Sequence, residues 1–185
     1  IKQCLVGSEM CIRDSPIGTE FLDPISPQYV ADLISWGAIG ARTAESQIHR
    51  ELASGLSCPI GIKNGTSGAL KPAIDGIQAA NHSHVFFSNT KEGMVSIYKT
   101  SGNSDAHIIL RGGSNPNYDN EAVEQTLIAL REAEVNESIM IDASHGNSQK
   151  QHKNQVAVTQ KIADQISDGN LSLIHISEPT RHCLI

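Results

Sequence analysis

Short apolar runs alternate with helix-period segments along most of this chain, and that alternation limits the folds open to it. The clearest unit is Gly37 to Gly68, GAIGARTAESQIHRELASGLSCPIGIKNGTSG. Ala38 to Ala41 is an apolar run that ends at Arg42. Ala44 to Ser54 carries Ile48 and Leu52 one helical turn apart, and Gly55 stands where a C-cap glycine belongs. Pro59 to Ile62 is a second apolar run, ending at Lys63. A strand–helix–strand unit of this length joins two parallel strands, so each delivers a cation at its C-terminal end. In an α/β barrel the active site is built at those ends.

The pattern extends in both directions. Thr19 to Leu22 reads as a strand with Glu20 inside it, followed by Ser26-Pro27 as cap and first residue of a helix. That helix carries Tyr29, Val30, Leu33 and Ile34 on one face and closes near Trp36-Gly37. Lys71-Pro72 opens a helix with Ile74 and Ile77 inward. Val85 to Ser88 and Val95 to Tyr98 flank a turn at Thr90 to Gly93, so a hairpin interrupts the alternation. His107 to Leu110 is a strand ending in Arg111-Gly112-Gly113, and Asn120 to Ala133 is helical. Ser138 to Ile141 is a strand running into Asp142, Ser144 and His145, and Gln151 to Ile166 is the last helix. Repeated units of this kind imply a parallel sheet.

The acidic balance, a net charge of −6, argues against nucleic acid as a partner, because phosphate backbones select basic faces. A small phosphorylated ligand responds instead to local cations. Only 4% of residues are aromatic, too few for a base-stacking platform. No run reaches the roughly 18 apolar residues of a membrane-spanning helix.

The strand ends hold Glu20, Arg42, Lys63, Arg111 and His145. In a barrel these ends share one mouth, and three cations packed together call for a polyanionic ligand. Arginine supplies a planar fork for phosphate or carboxylate, and lysine a mobile point charge. The alternative is separate surface ion pairs with Glu45, Glu51 or Asp142. A second alternative makes Lys63 the nucleophile of a Schiff-base aldolase, which requires a neutral amine. His49, His82, His84, His107 and His152 have no metal-ligand spacing and read as surface or hydrogen-bonded core residues.

GAIGART-ESQ-HRELASGLSCP-G-KNGT, HIILRGG, PNY and MIDASHGNS, in this order, resemble type I 3-deoxy-D-arabino-heptulosonate-7-phosphate (DAHP) synthases. The resemblance covers roughly residues 18 to 168. It implies a (β/α)8 TIM barrel present in part, about the third to the seventh strand plus an inserted hairpin. It implies condensation of phosphoenolpyruvate with erythrose 4-phosphate to DAHP and phosphate, the first step of the shikimate pathway. Arg42, Lys63 and Arg111 match residues that hold the phosphate and carboxylate of phosphoenolpyruvate, and Glu20 matches a position near that substrate. His145 matches a ligand of a catalytic divalent cation, with Mn, Fe, Co and Zn all compatible. The family's other metal ligands, and a Lys-Pro-Arg motif on its second strand, have no counterpart here. Gln28, Leu56, Ser57, Phe86 and Ser88, with Pro24, fall where the family binds an aromatic amino acid as feedback inhibitor. A cytoplasmic homo-oligomer is implied for the parent protein.

LVGSEMCIRDS near the start and LSLIHISEPTR near the end resemble translated sequencing-adapter DNA, each the reverse-complement reading of the other. Residues 1–15 and 171–185 are therefore expected to be foreign to the fold, leaving 16–170 as the partial barrel domain. On that division only Cys58 is native. One cysteine forms no disulfide framework, and beside Pro59 it reads as a small buried hydrophobe. A barrel lacking consecutive strands has open edges. The chain as written is accordingly expected to fold poorly alone, binding anions at most, without synthase turnover.

Overall fold

The computed structural model describes residues 16–170 and, as backbone alone, 173–176. Residues 1–15 lie outside the described residues, as does most of 171–185. Six parallel strands form the sheet: β1 (Gly18–Glu20), β2 (Trp36–Ile39), β3 (Ile60–Lys63), β6 (His107–Leu110), β7 (Ile139–Asp142) and β8 (Leu173–Ile176), side by side in that order. β4 (Val85–Asn89) and β5 (Val95–Lys99) form a separate antiparallel hairpin. The helices are α1 (Pro27–Val30), α2 (Gln47–Gly55), α3 (Lys71–Ala80), α4 (Asn120–Glu132) and α5 (Asn154–Ser167). Strands that neighbour one another in chain order, never reversing, are the wall of a barrel rather than a doubly wound sheet. β8 falls within the segment expected to be foreign, and its backbone pairs with β7 from Leu173 to Ile176.

Alternation along the strands divides the apolar residues into two sets. Ile39, Ile60, Ile62, Ile108, Leu110, Ile139 and Ile141 pack against Leu52, Ala73, Ile77, Val123, Leu130, Val158 and Ile162 from the helices. The other set is smaller: Ala38, Ile109 and Met140, with Trp36 against them. There Gly61 is required, because a Cβ would stand 2.7 Å from the Trp36 ring. The indole N–H of Trp36 donates to Nε2 of buried His107 at 3.1 Å.

Several local expectations are corrected. The first helix does not reach Trp36-Gly37: α1 gives way to a 3-10 turn at Ala31–Leu33, and Trp36 opens β2. The cause is β1, because the N–H groups of Ser35 and Trp36 both reach the Ile17 carbonyl. Ser26 makes no side-chain cap; its hydroxyl donates to Asp23 instead. β2 stops at Ile39, so Arg42 follows through a short turn. α2 starts at Gln47 and buries His49, Leu52 and Ala53, leaving Ile48 54% exposed and off the expected face. Gly55 ends the helix without a left-handed cap, and Leu56 carries the chain on in extended form. Glycine is needed at 55 for space, since a Cβ would come 2.8 Å from Thr100.

Candidate active site

Parity places Glu20, Lys63, Arg111 and Asp142 on the same side of the sheet as Ala38, Ile109 and Met140. At the C-terminal edge they meet. Nζ of Lys63 lies 3.4 Å from Oδ2 of Asp142 and 3.8 Å from Oε2 of Glu20. The Lys63 and Asp142 side chains are only 5% and 3% exposed, so each requires the other's charge. Oδ2 of Asp142 also lies 2.7 Å from Nδ1 of His145. Oδ1 of Asp142 accepts from the Ser144 amide at 2.8 Å and the Ser144 hydroxyl at 2.6 Å. Burial acts to raise the Asp142 carboxyl. The hydrogen bonds from His145 and Ser144 and the charge of Lys63 outweigh it, holding the group well below the usual carboxylate range. His145 is half-buried with φ of 47°, a left-handed conformation that the turn after β7 imposes on a residue with a side chain.

Arg42 follows β2 and is exposed; Arg111 follows β6 and is half-buried. Neither guanidinium has a hydrogen-bond or ion-pair partner among the described residues. Because β2, β3, β6 and β7 are adjacent and parallel, Arg42, Lys63, Arg111 and His145 all leave the sheet from one edge. The loops there touch backbone to backbone. A Cβ on Gly112, which has φ of 73°, would stand 2.6 Å from the Asn147 nitrogen. A Cβ on Gly113 would collide with the backbone of Ser67.

The arrangement corrects the picture of three bare cations. Lys63 is already neutralised by Glu20 and Asp142, so of the three cations Arg42 and Arg111 are the two without a charge partner among the described residues. Asp142 was legible only as a partner for a surface ion pair; it is buried at the centre of the site. Its signal in the sequence is the spacing Asp142-Ala-Ser-His145 directly after an apolar strand. Neither Glu45 nor Glu51 forms an ion pair with these cations among the described residues. His145 backed by Asp142 is a familiar half of a metal site, in which a carboxylate orients the ligating ring. The remainder does not fit: among the described residues no three His, Cys, Asp or Glu side chains come together as a ligand group.

A second concavity, about 590 Å³, lies between α1, α2 and the hairpin. It gathers Gln28, Leu56, Phe86 and Ser88, along with Tyr98 and Thr100. Phe86 and Tyr98 are stacked across β4 and β5 with centroids 6.4 Å apart. Lys91 pairs with Asp32 at 3.0 Å on its rim. Ser57 does not line it: beyond Leu56 the chain turns outward and leaves Ser57 exposed. Pro24 is likewise absent from the lining, where Pro27 stands instead.

The DAHP synthetase I family model matches residues 2–179. A Trp-sensitive phospho-2-dehydro-3-deoxyheptonate aldolase of Escherichia coli K12 is 52% identical over 161 residues, covering 87% of this chain and 46% of its own length. A Phe-sensitive aldolase of the same strain is 55% identical over 167 residues, 89% of this chain and 48% of its own. One from Corynebacterium glutamicum is 56% identical over 158 residues, 85% and 42%. The phospho-2-dehydro-3-deoxyheptonate aldolase structure from Francisella tularensis SCHU S4 superposes with a TM-score of 0.85 at 51% identity, covering 88% of this chain and 48% of that one. The chain thus spans less than half the length of these relatives.

Proposed function

The chain belongs to the DAHP synthetase I family, with the (β/α)8 fold of that family present in part, and from that premise we propose that its parent enzyme condenses phosphoenolpyruvate with erythrose 4-phosphate. The products are DAHP and inorganic phosphate, which feed aromatic amino acid biosynthesis. The observation that supports this reading most is the pair of arginines with no side-chain partner among the described residues, Arg42 and Arg111, flanking a buried and charge-balanced Lys63 at one sheet edge. Phosphoenolpyruvate carries a phosphate and a carboxylate. Two guanidinium forks grip such a pair of anions, and fixing their orientation supplies much of the rate. Asp142 and Glu20 hold the Lys63 ammonium in place and balance its charge. Those same carboxylates oppose the neutral amine that a Schiff-base nucleophile needs, so the aldolase mechanism through Lys63 is disfavoured.

The family is generally metal-dependent, and His145 is the residue we propose as a ligand. The described residues do not complete a coordination set. Glu20 and Asp142 act through Lys63, and Asp142 also orients the His145 ring. The cavity beside the hairpin suits an aromatic amino acid: Phe86 and Tyr98 offer a ring-stacking wall, and Gln28 and Ser88 offer polar contacts. Relatives named Trp-sensitive and Phe-sensitive support feedback inhibition of the parent by an aromatic amino acid.

The test is titration of the 185-residue chain with phosphoenolpyruvate by calorimetry, together with a phosphate-release assay with erythrose 4-phosphate. Saturable binding that Arg42→Ala and Arg111→Ala both weaken supports the site. Binding without turnover supports the second reading, a chain that keeps the anion site alone. No binding by a chain that unfolds cooperatively refutes the anion site.

A further inference from the structure

Three asparagines stand between the mouth loops: Asn64 after β3, Asn117 after β6 and Asn147 after β7. Asn64 and Asn147 are 0% and 3% exposed, and both are polar side chains with no catalytic chemistry of their own. Their bonds converge on one short piece of backbone. Oδ1 of Asn64 accepts from the Arg111 amide at 2.8 Å, and its Nδ2 donates to the Gly112 carbonyl at 3.3 Å. Oδ1 of Asn117 accepts from the Gly112 amide at 2.7 Å, while its Nδ2 donates to Asn64 Oδ1 at 3.3 Å. Nδ2 of Asn147 donates to the Leu110 carbonyl at 3.0 Å and to the Asp142 carbonyl at 2.9 Å. Its Oδ1 accepts from the Asn117 amide at 2.8 Å. The Arg111 carbonyl accepts from the Gly146 amide at 3.0 Å. Every one of these atoms lies at or beside Arg111, the Lys63 loop or the His145 loop.

We infer that Asn64, Asn117 and Asn147 are positioning residues that aim Arg111 at the anion and lock it in register with the Lys63 and His145 loops. The inference rests on the anion-site reading above. The physical case is one of necessity. Gly112 is left-handed and Gly113 lies against the Ser67 backbone, so the segment Arg111 to Gly113, directly after β6, follows neither a regular strand nor a helix. Its amides and carbonyls therefore need partners outside the sheet ladder, and where no backbone group serves, an amide side chain offers a donor and an acceptor at once. No described residue pairs with the Arg111 guanidinium, so its aim depends on how firmly its backbone is held. Backbone shifts near 1 Å are costly at such sites.

A double-mutant cycle on the 185-residue chain tests this, with phosphoenolpyruvate affinity and Gly112 amide exchange as readouts. Asn117→Ala should weaken phosphoenolpyruvate binding about tenfold, the size of one lost hydrogen bond to a buried group. In an Arg111→Ala background it should cost less than about twofold more, because the effect passes through Arg111. Gly112 amide exchange should accelerate in Asn117→Ala and stay slow in Asn117→Asp, which keeps an oxygen for that amide. Additive losses in the cycle, or unchanged Gly112 exchange in Asn117→Ala, overturn the positioning role while leaving the anion site intact. Loss of protection throughout the sheet in Asn117→Ala also overturns it, since the cluster would then be a general stabilising element. Failure of the parent chain to bind phosphoenolpyruvate would overturn the anion-site reading itself and the positioning role with it.

Discussion

Asp142→Asn probes the centre of the site most directly. Asparagine retains an oxygen in place of Oδ1, so the bonds from the Ser144 amide and hydroxyl, at 2.8 and 2.6 Å, can survive. Where Oδ2 stood it presents an amino group, 3.4 Å from the Lys63 ammonium and 2.7 Å from His145 Nδ1. The Lys63 side chain is 5% exposed, so water is a poor replacement for the lost carboxylate. Removing one partner of a buried ion pair costs about 3–5 kcal/mol. Glu20 remains, at 3.8 Å and 37% exposed, and offsets a part, so we expect a loss of about 3 kcal/mol. For a chain of this size that corresponds to a fall of about 6–12 °C in Tm. The assay is thermal unfolding followed by circular dichroism, with urea unfolding alongside. A second arm replaces both partners, Lys63→Met with Asp142→Leu. With neither charge left buried, the double variant should be more stable than Asp142→Asn. A Tm drop under about 2 °C for Asp142→Asn, or a double variant less stable than the single, would refute the account of a mutually dependent pair.

Arg111→Ala should reduce phosphoenolpyruvate affinity about ten- to hundredfold, the loss of a charge-assisted contact worth about 1.5–3 kcal/mol, with calorimetry as the check. His107 gives a pH dependence: burial holds its imidazole below the ordinary value, opposed by its bond to the Asp105 carbonyl. The unfolded chain therefore takes up the proton first as pH falls through about 6.5, so stability is flat above that pH and declines below it. The measurement is unfolding free energy between pH 5 and 8, and His107→Gln should flatten the slope relative to the parent chain. Phe86→Ala should weaken binding of an aromatic amino acid several-fold, by about 0.5–1.5 kcal/mol of ring contact, and an unchanged dissociation constant would remove the ligand from that cavity. Leu130→Ala, at a fully buried helix position, should cost about 2–5 kcal/mol, read from denaturant midpoints.

Much of this was open to inspection in the residues alone. Period-two and period-3.6 patterns locate most elements between residues 16 and 170 to within a few residues, though not the 3-10 turn at Ala31–Leu33 or β8, because burying one face of a strand or helix leaves a repeat that needs no partner to be seen. The runs ending at Arg42, Lys63, Arg111 and His145 place those residues at one edge, since parallel strands share a direction. The hairpin at Val85 to Lys99 is equally local. What depends on neighbours was not legible. The face of α2 turned on how it meets α3 and the sheet, so Ile48 lies outside and His49 inside. The first helix was cut short by the Ile17 carbonyl, a residue far back in the chain. Asp142 carries the same letter whether solvated or buried, and only the folded sheet sets it against Lys63, seventy-nine positions earlier. The asparagine cluster is invisible for the same reason: Asn64, Asn117 and Asn147 have no spacing in common, and what unites them is backbone at Leu110 to Gly112 whose partners lie outside the sheet ladder. Local pattern follows from the covalent chain and its solvent, while charge pairing and backbone satisfaction depend on distances that only the tertiary fold sets.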